Sequence, residues 1–109
     1  MPDKVIKETR ILADDEIIDL SLTQVPVSSE IPHGVRYSFN YRVRTKEGWN
    51  TLIRFDNAHT IKGHNKRDHK HVFENDAQEM EFSSPKDMID RLMRLIEDNR
   101  RSINEIKRS

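Results

Sequence analysis

The chain contains no cysteine. That excludes a disulfide framework, a thiolate nucleophile and cysteine-ligated zinc, and it fits a reducing cytoplasm. It also has no net charge, because 19 Lys and Arg offset 19 Asp and Glu. Nothing global draws such a protein to nucleic acid or to an acidic membrane, so any polyanion site must be a local patch. No apolar run approaches the roughly 20 residues that span a bilayer. The opening MPDKVIKETR lacks the apolar core and cleavage site of a signal peptide. There is no internal repeat and no low-complexity tract. The expectation is one soluble, cytoplasmic domain spanning residues 1–109, with periodically placed apolar residues forming a modest core.

The periodicity gives an outline of that domain. Residues 2–25 read as an N-terminal hairpin, broken at Ala13-Asp14-Asp15, with Ile18, Leu20 and Leu22 alternating against Asp19, Ser21 and Thr23. PVSSEIPHG, residues 26–34, is a connecting loop. The clearest strand follows: Val35, Tyr37, Phe39, Tyr41 and Val43 alternate with Arg36, Ser38, Asn40, Arg42 and Arg44. Lys46-Glu47-Gly48 is a turn, and Trp49, Thr51, Ile53 and Phe55 continue the odd-numbered apolar set. A three-residue loop pairs Thr45 with Trp49, Asn40 with Arg54 and Ser38 with Asp56, and it sends Trp49 into the core. One sheet face then carries Arg36, Asn40, Arg42, Arg44, Arg54 and Asp56. Residues 69–74 and 78–82 flank Asn75-Asp76-Ala77 as a further hairpin, closing a central region of residues 35–82. Ser84 is a helix N-cap, Pro85 the first helical position and Asp87 a capping-box acid. Met88, Ile89, Leu92, Met93, Leu95, Ile96, Ile103 and Ile106 then form one apolar stripe along a helix over residues 84–107. The predicted fold is α+β: an antiparallel β-sheet of about six strands with one long C-terminal α-helix packed on one face.

RFDNAHTIKGHNKRDHKHVF, residues 54–73, holds four of the five histidines. A metal site is one reading: His69 and His71 share a strand face, and His59 or His64 with Asp56 or Asp68 could complete a divalent-ion set. No established ligand motif is present, however, and no metal or other cofactor is expected. Acid/base chemistry on RNA is a second reading. Metal-independent cleavage needs a base for the 2′-hydroxyl, an acid for the leaving oxygen and cations for the phosphorane. His69 and His71, with Arg42, Arg54, Lys66, Arg67 and Lys70, supply those types, and residues 62–71 carry four Lys and Arg against one Asp. An ordinary solvated loop is the third reading, with the sheet arginines keeping a surface soluble.

The order PHGVRYSFNYRV, then IRFDNAH, then RDHKHV, then a short strand and a capped helix, resembles the TumE family of toxin–antitoxin toxins. That family has a His-x-Tyr-x-Tyr type strand, a Tyr-Asp-Asn segment and a Gly-Asp-His-Arg/Lys-His-Val segment. The corresponding residues are His33, Tyr37, Tyr41, Phe55, Asp56, Asn57, Asp68, His69, Lys70, His71 and Val72. Phe55 stands where the family has tyrosine, and residues 58–67 form a longer link that contains His59 and His64. The resemblance implies a small cytoplasmic toxin encoded beside a DNA-binding antitoxin, with RNA or the ribosome as target, no membrane and room for a homodimer. On this reading His69 and His71 are the acid/base pair, and Asp56 is their orienting carboxylate. Arg42, Arg44, Arg54 and Lys70 hold phosphate, with Asn57 and Asp68 beside the substrate. The alternatives are a non-catalytic RNA- or protein-binding module and a His-ligated metal-dependent hydrolase.

Overall fold

A computed structural model describes residues 5–29, 31–57, 68–73 and 75–108. The expected antiparallel α+β arrangement is present: among the described residues six strands lie in sequence order, β1 (Val5–Ala13), β2 (Glu16–Gln24), β3 (Val35–Thr45), β4 (Gly48–Asp56), β5 (His69–Val72) and β6 (Gln78–Glu79). Asp14 and Asp15 turn the N-terminal hairpin, and Ile18 and Leu20 fall on its buried side, as their alternation requires. β1 is an edge strand with both faces largely in solvent. Among the described residues, no helix is long and apolar enough to cross a membrane.

Between β3 and β4 the register departs from expectation in one instructive way. Thr45 pairs with Gly48 rather than with Trp49, so Lys46-Glu47 is a two-residue loop. Gly48 adopts φ 110°, which glycine reaches at little steric cost. The pairing then slips by one between Tyr41 and Arg42, so Leu52 is an extra residue and both Leu52 and Ile53 are buried. Above the bulge the expected pairs return: Asn40 with Arg54 and Ser38 with Asp56. Below it the parity of β4 is inverted. Trp49, expected in the core, instead sits opposite Arg44 and is 38% exposed.

The single long helix is also corrected. It is two helices, α1 (Pro85–Asp98) and α2 (Arg100–Arg108). Asn99 breaks the run at φ −109°, ψ 16°. Its Nδ2 donates to the Leu95 carbonyl at 2.8 Å while its backbone N–H donates to the same oxygen at 3.1 Å, a local competition that ends a helix. At the other end Ser84 is the N-cap, its Oγ accepting from Asp87 N at 3.1 Å. The Asp87 carboxylate does not close a capping box; it takes the Ser83 hydroxyl and pairs with Arg91 at 3.0 Å. Met88, Leu92 and Ile96 on α1 and Ile103 on α2 are fully buried against Tyr37, Phe39, Tyr41, Ile53 and Phe55. Each such side chain contributes about 1.5–3 kcal/mol.

The bend at Asn99 has an electrostatic counterpart. Glu16, at the start of β2, is buried on the helix side and accepts from Tyr41 Oη (2.5 Å), Arg100 Nη1 (2.6 Å) and Lys107 Nζ (2.8 Å). Both cations come from α2, so one carboxylate fastens the second helix to the sheet.

Candidate functional site

The sheet face away from the helices is built by period-2 alternation. Cross-strand pairing places Arg54 opposite Asn40 on one side and His71 on the other. Asp56 lies between Ser38 and His69 in the same way. Arg54, Asp56, His69 and His71 therefore form one block, with Arg54 Nε 2.9 Å from Asp56 Oδ2. Further along, Arg42 Nε donates to Asp19 at 2.7 Å. Its guanidinium carbon and that of Arg44 lie 5.0 and 5.7 Å from the Trp49 ring centroid. The two histidines are not equivalent. His69 is fully buried, whereas His71 is partly exposed beside Arg54.

Behind this block lies a second cluster, which fixes where β5 begins. Asp68 accepts from Tyr37 Oη at 2.7 Å and from His33 Nε2 at 3.1 Å. Val35 N–H donates to His33 Nδ1 at 3.3 Å, which leaves Nε2 as the protonated nitrogen that faces Asp68. His33 stacks on Phe82 with centroids 3.9 Å apart. Gly34, at φ 70°, makes the turn that delivers His33, and a Cβ there would meet Val27 and the Val25 carbonyl at 3.1–3.2 Å. Burial, and then the bond to Asp68, push the Tyr37 phenol well above its ordinary range, so it remains a neutral donor. Asn57 completes the cluster. Its Oδ1 accepts from Tyr37 N (2.9 Å) and its Nδ2 donates to Val35 O (2.7 Å), carrying the β3–β4 pairing one residue past Asp56.

A family model described as toxin TumE matches residues 2–100. The chain belongs to the TumE toxin family. No curated protein and no solved structure matches. The residues that carry the TumE resemblance divide into two groups in space. His33, Tyr37, Asn57 and Asp68 are held to one another and to backbone, while Asp56, His69 and His71 stand with Arg54 on the sheet face away from the helices, where Asp56 and His69 are buried and His71 is partly exposed.

Of the substrate-binding residues expected from sequence, Arg42, Arg44 and Arg54 share that face. Lys70 does not. It pairs with Phe55, whose side chain faces the helices, and lines a cleft of about 190 Å³ with Met80, Arg91, Arg94 and Asp98. Asn57 is buried and its amide is engaged by backbone, and Asp68 is directed to Tyr37 and His33. Among the described residues, no group of three or more His, Cys, Asp or Glu could hold a metal ion. His59, His64, Lys66 and Arg67 lie outside the described residues. Sequence reasoning missed Trp49 on the arginine face, although adjacent Leu52 and Ile53 are themselves the signal of a bulge.

The Asp68 cluster yields a prediction. Asp68→Ala leaves the buried Tyr37 hydroxyl without its acceptor, which costs about 1–3 kcal/mol. Chemical denaturation should show that loss. Tyr37→Phe in the Asp68→Ala background should add much less than it does alone, because donor and acceptor then disappear together. Fully additive losses would break the assignment.

Proposed function

We propose that this toxin arrests growth by acting on RNA through the arginine-bearing sheet face, either cleaving RNA or blocking it in translation. The observation that carries the reading is the convergence of Arg54, Asp56, His69 and His71 in one register block, continued by Arg42 and Arg44. Guanidinium groups position a phosphate backbone without reading its sequence. On the cleavage reading, one imidazole of the His69–His71 pair accepts the 2′-hydroxyl proton, the 2′-oxygen attacks phosphorus as the bond from phosphorus to the 5′-oxygen breaks, and the other imidazole, protonated, donates its proton to the departing 5′-oxygen. Arg54 stabilises the charge on the phosphorane, and Asp56 orients the histidines. The antitoxin expected of such a toxin is a DNA-binding protein that neutralises it by forming a complex.

The complete burial of His69 favours a second reading, in which the same face binds RNA and inhibits without turnover. Two measurements separate these readings from each other and from neither. Induced wild-type protein should stop growth, and replacing Arg42 and Arg54 by Ala should relieve the arrest. Binding of the double variant to labelled RNA should weaken, with a salt slope shallower by about 1 for each phosphate no longer neutralised. Cleavage at substoichiometric toxin identifies the enzyme; inhibition that saturates at one toxin per target identifies the binder. Undiminished toxicity and an unchanged salt slope in the double variant would overturn both.

A further inference from the structure

We propose that Trp49, flanked by Arg42 and Arg44, is a nucleobase-stacking subsite for single-stranded RNA. The proposal rests on the RNA reading above and adds to it a substrate form and a residue that the family signature does not contain. Trp49 is the only tryptophan of the chain. An indole on a strand that packs its apolar residues inward belongs in the core. Here a single extra residue, Leu52, inverts the parity of β4 and turns the ring onto the polar face, where it is 38% exposed. Leu52 and Ile53 fill the core in its place.

The surroundings define the ligand chemistry. Arg44 is the direct cross-strand partner of Trp49, and Arg42 is the partner of Thr51, the next residue on that face. Both guanidinium groups lie over the ring at 5.0–5.7 Å, within cation–π distance. Arg42 is held in place by Asp19 at 2.7 Å, so its charge is pre-positioned. A part-exposed indole packed against one ion-paired arginine and one exposed arginine is complementary to a base attached to its phosphate: the base stacks on the indole edge left open or on a guanidinium, and the phosphate meets the arginines. A duplex keeps its bases stacked inside and cannot offer that plane. An unpaired strand can. The subsite lies on the same face as Arg54 and His71, about 15 Å away along β4, a span that one single strand of a few nucleotides can cover.

Trp49 reports on its own occupancy. Its fluorescence is measured as a short unstructured RNA, and separately the same sequence as a duplex, is added to the intact protein. Affinities of wild type, Trp49→Leu and Trp49→Phe come from the anisotropy of end-labelled RNA. The expected result is quenching by the single strand and weak or no response to the duplex. Trp49→Leu should bind about tenfold or more weakly, the loss of one stacked base. Trp49→Phe should recover most of that loss, and the salt slope should be the same in all three because no charge changes. If the single strand binds without quenching and Trp49→Leu binds like wild type, the stacking subsite is wrong while the RNA reading stands. Equal quenching and binding by the duplex would likewise overturn it. Absence of any RNA binding by wild type overturns the RNA reading and this inference with it. Quenching by the antitoxin but not by RNA assigns the surface to a protein partner instead.

Discussion

Glu16→Ala is expected to destabilise the protein by about 3–5 kcal/mol, the cost of removing one partner from a buried ionic cluster. Against a total of about 5–15 kcal/mol for a domain, that is enough to unfold a substantial fraction at growth temperature. The carboxylate is nearly inaccessible (5% side-chain exposure), and it receives three donors: Tyr41, Arg100 and Lys107. Truncation leaves the buried Tyr41 hydroxyl without an acceptor and two cations facing each other across the space. It also weakens the hold on α2, leaving the Lys107–Asp15 pair at 3.2 Å and the buried Ile103 to keep that helix on the sheet. The cluster has a pH signature. Burial alone would raise the pKa of Glu16. The bonds from Lys107, Tyr41 and Arg100 outweigh it and draw the pKa from 4.5 down to about 2. A carboxyl with a depressed folded-state pKa stabilises the fold above its unfolded pKa, and that contribution disappears as pH falls through the folded value. The window here runs from about pH 4.5 down to about 2 and represents about 3 kcal/mol. Urea unfolding of wild type and Glu16→Ala at pH 7, 5 and 3 tests this. The gap between them should be the same at the two higher pH values and smaller at pH 3. A gap below about 1 kcal/mol at pH 7, or one independent of pH throughout, would show that Glu16 does not fasten α2.

The parts of this structure that sequence revealed are those governed by local rules. β3 alternates cleanly from Val35 to Thr45, so its buried and exposed faces follow from period 2 alone. Ser84-Pro85 marks the start of α1 because the cap chemistry is contained in four residues. The errors fall where a local pattern had two solutions and a distant partner chose between them. WNTLIRF reads as an odd-numbered apolar face, but the core accepts Leu52 and Ile53 together and leaves Trp49 to the arginines. The apolar stripe continues through Asn99, yet the helix bends there, and α2 then carries Arg100 and Lys107 to Glu16, 84 and 91 residues away in sequence. The site shows the same division. The Asp56–His69 and Arg54–His71 pairs need the β4–β5 register, and nothing within residues 54–73 states that register. Neighbours in sequence group Asp68 with the substrate-binding residues, although its partners Tyr37 and His33 lie 31 and 35 residues upstream.

On the cleavage reading, His71→Ala is expected to lower the turnover of RNA by about 10²–10⁴-fold, the usual contribution of a positioned general acid or base. The geometry singles out this imidazole over its neighbour. His71 is partly exposed and lies opposite Arg54, while His69 is fully enclosed opposite Asp56. The loss should fall on kcat, because phosphate binding stays with Arg42, Arg44 and Arg54. Affinity for an RNA carrying a 2′-deoxy nucleotide at the cleavage position should therefore remain within a few-fold of wild type. Circular dichroism and denaturation of the variant establish that the sheet is intact. Added imidazole should restore part of the turnover in His71→Ala, which a purely structural histidine would not allow. His69→Asn serves as the comparison: the substituted residue lies in a closed site, so its effect should appear in stability as well as in activity, with no response to imidazole. Wild-type turnover in His71→Ala would remove His71 from the chemistry. A toxin that cleaves nothing at catalytic ratios, yet binds the deoxy-substituted and unmodified RNA equally, would leave the arginine face as a clamp and the histidines as part of its frame.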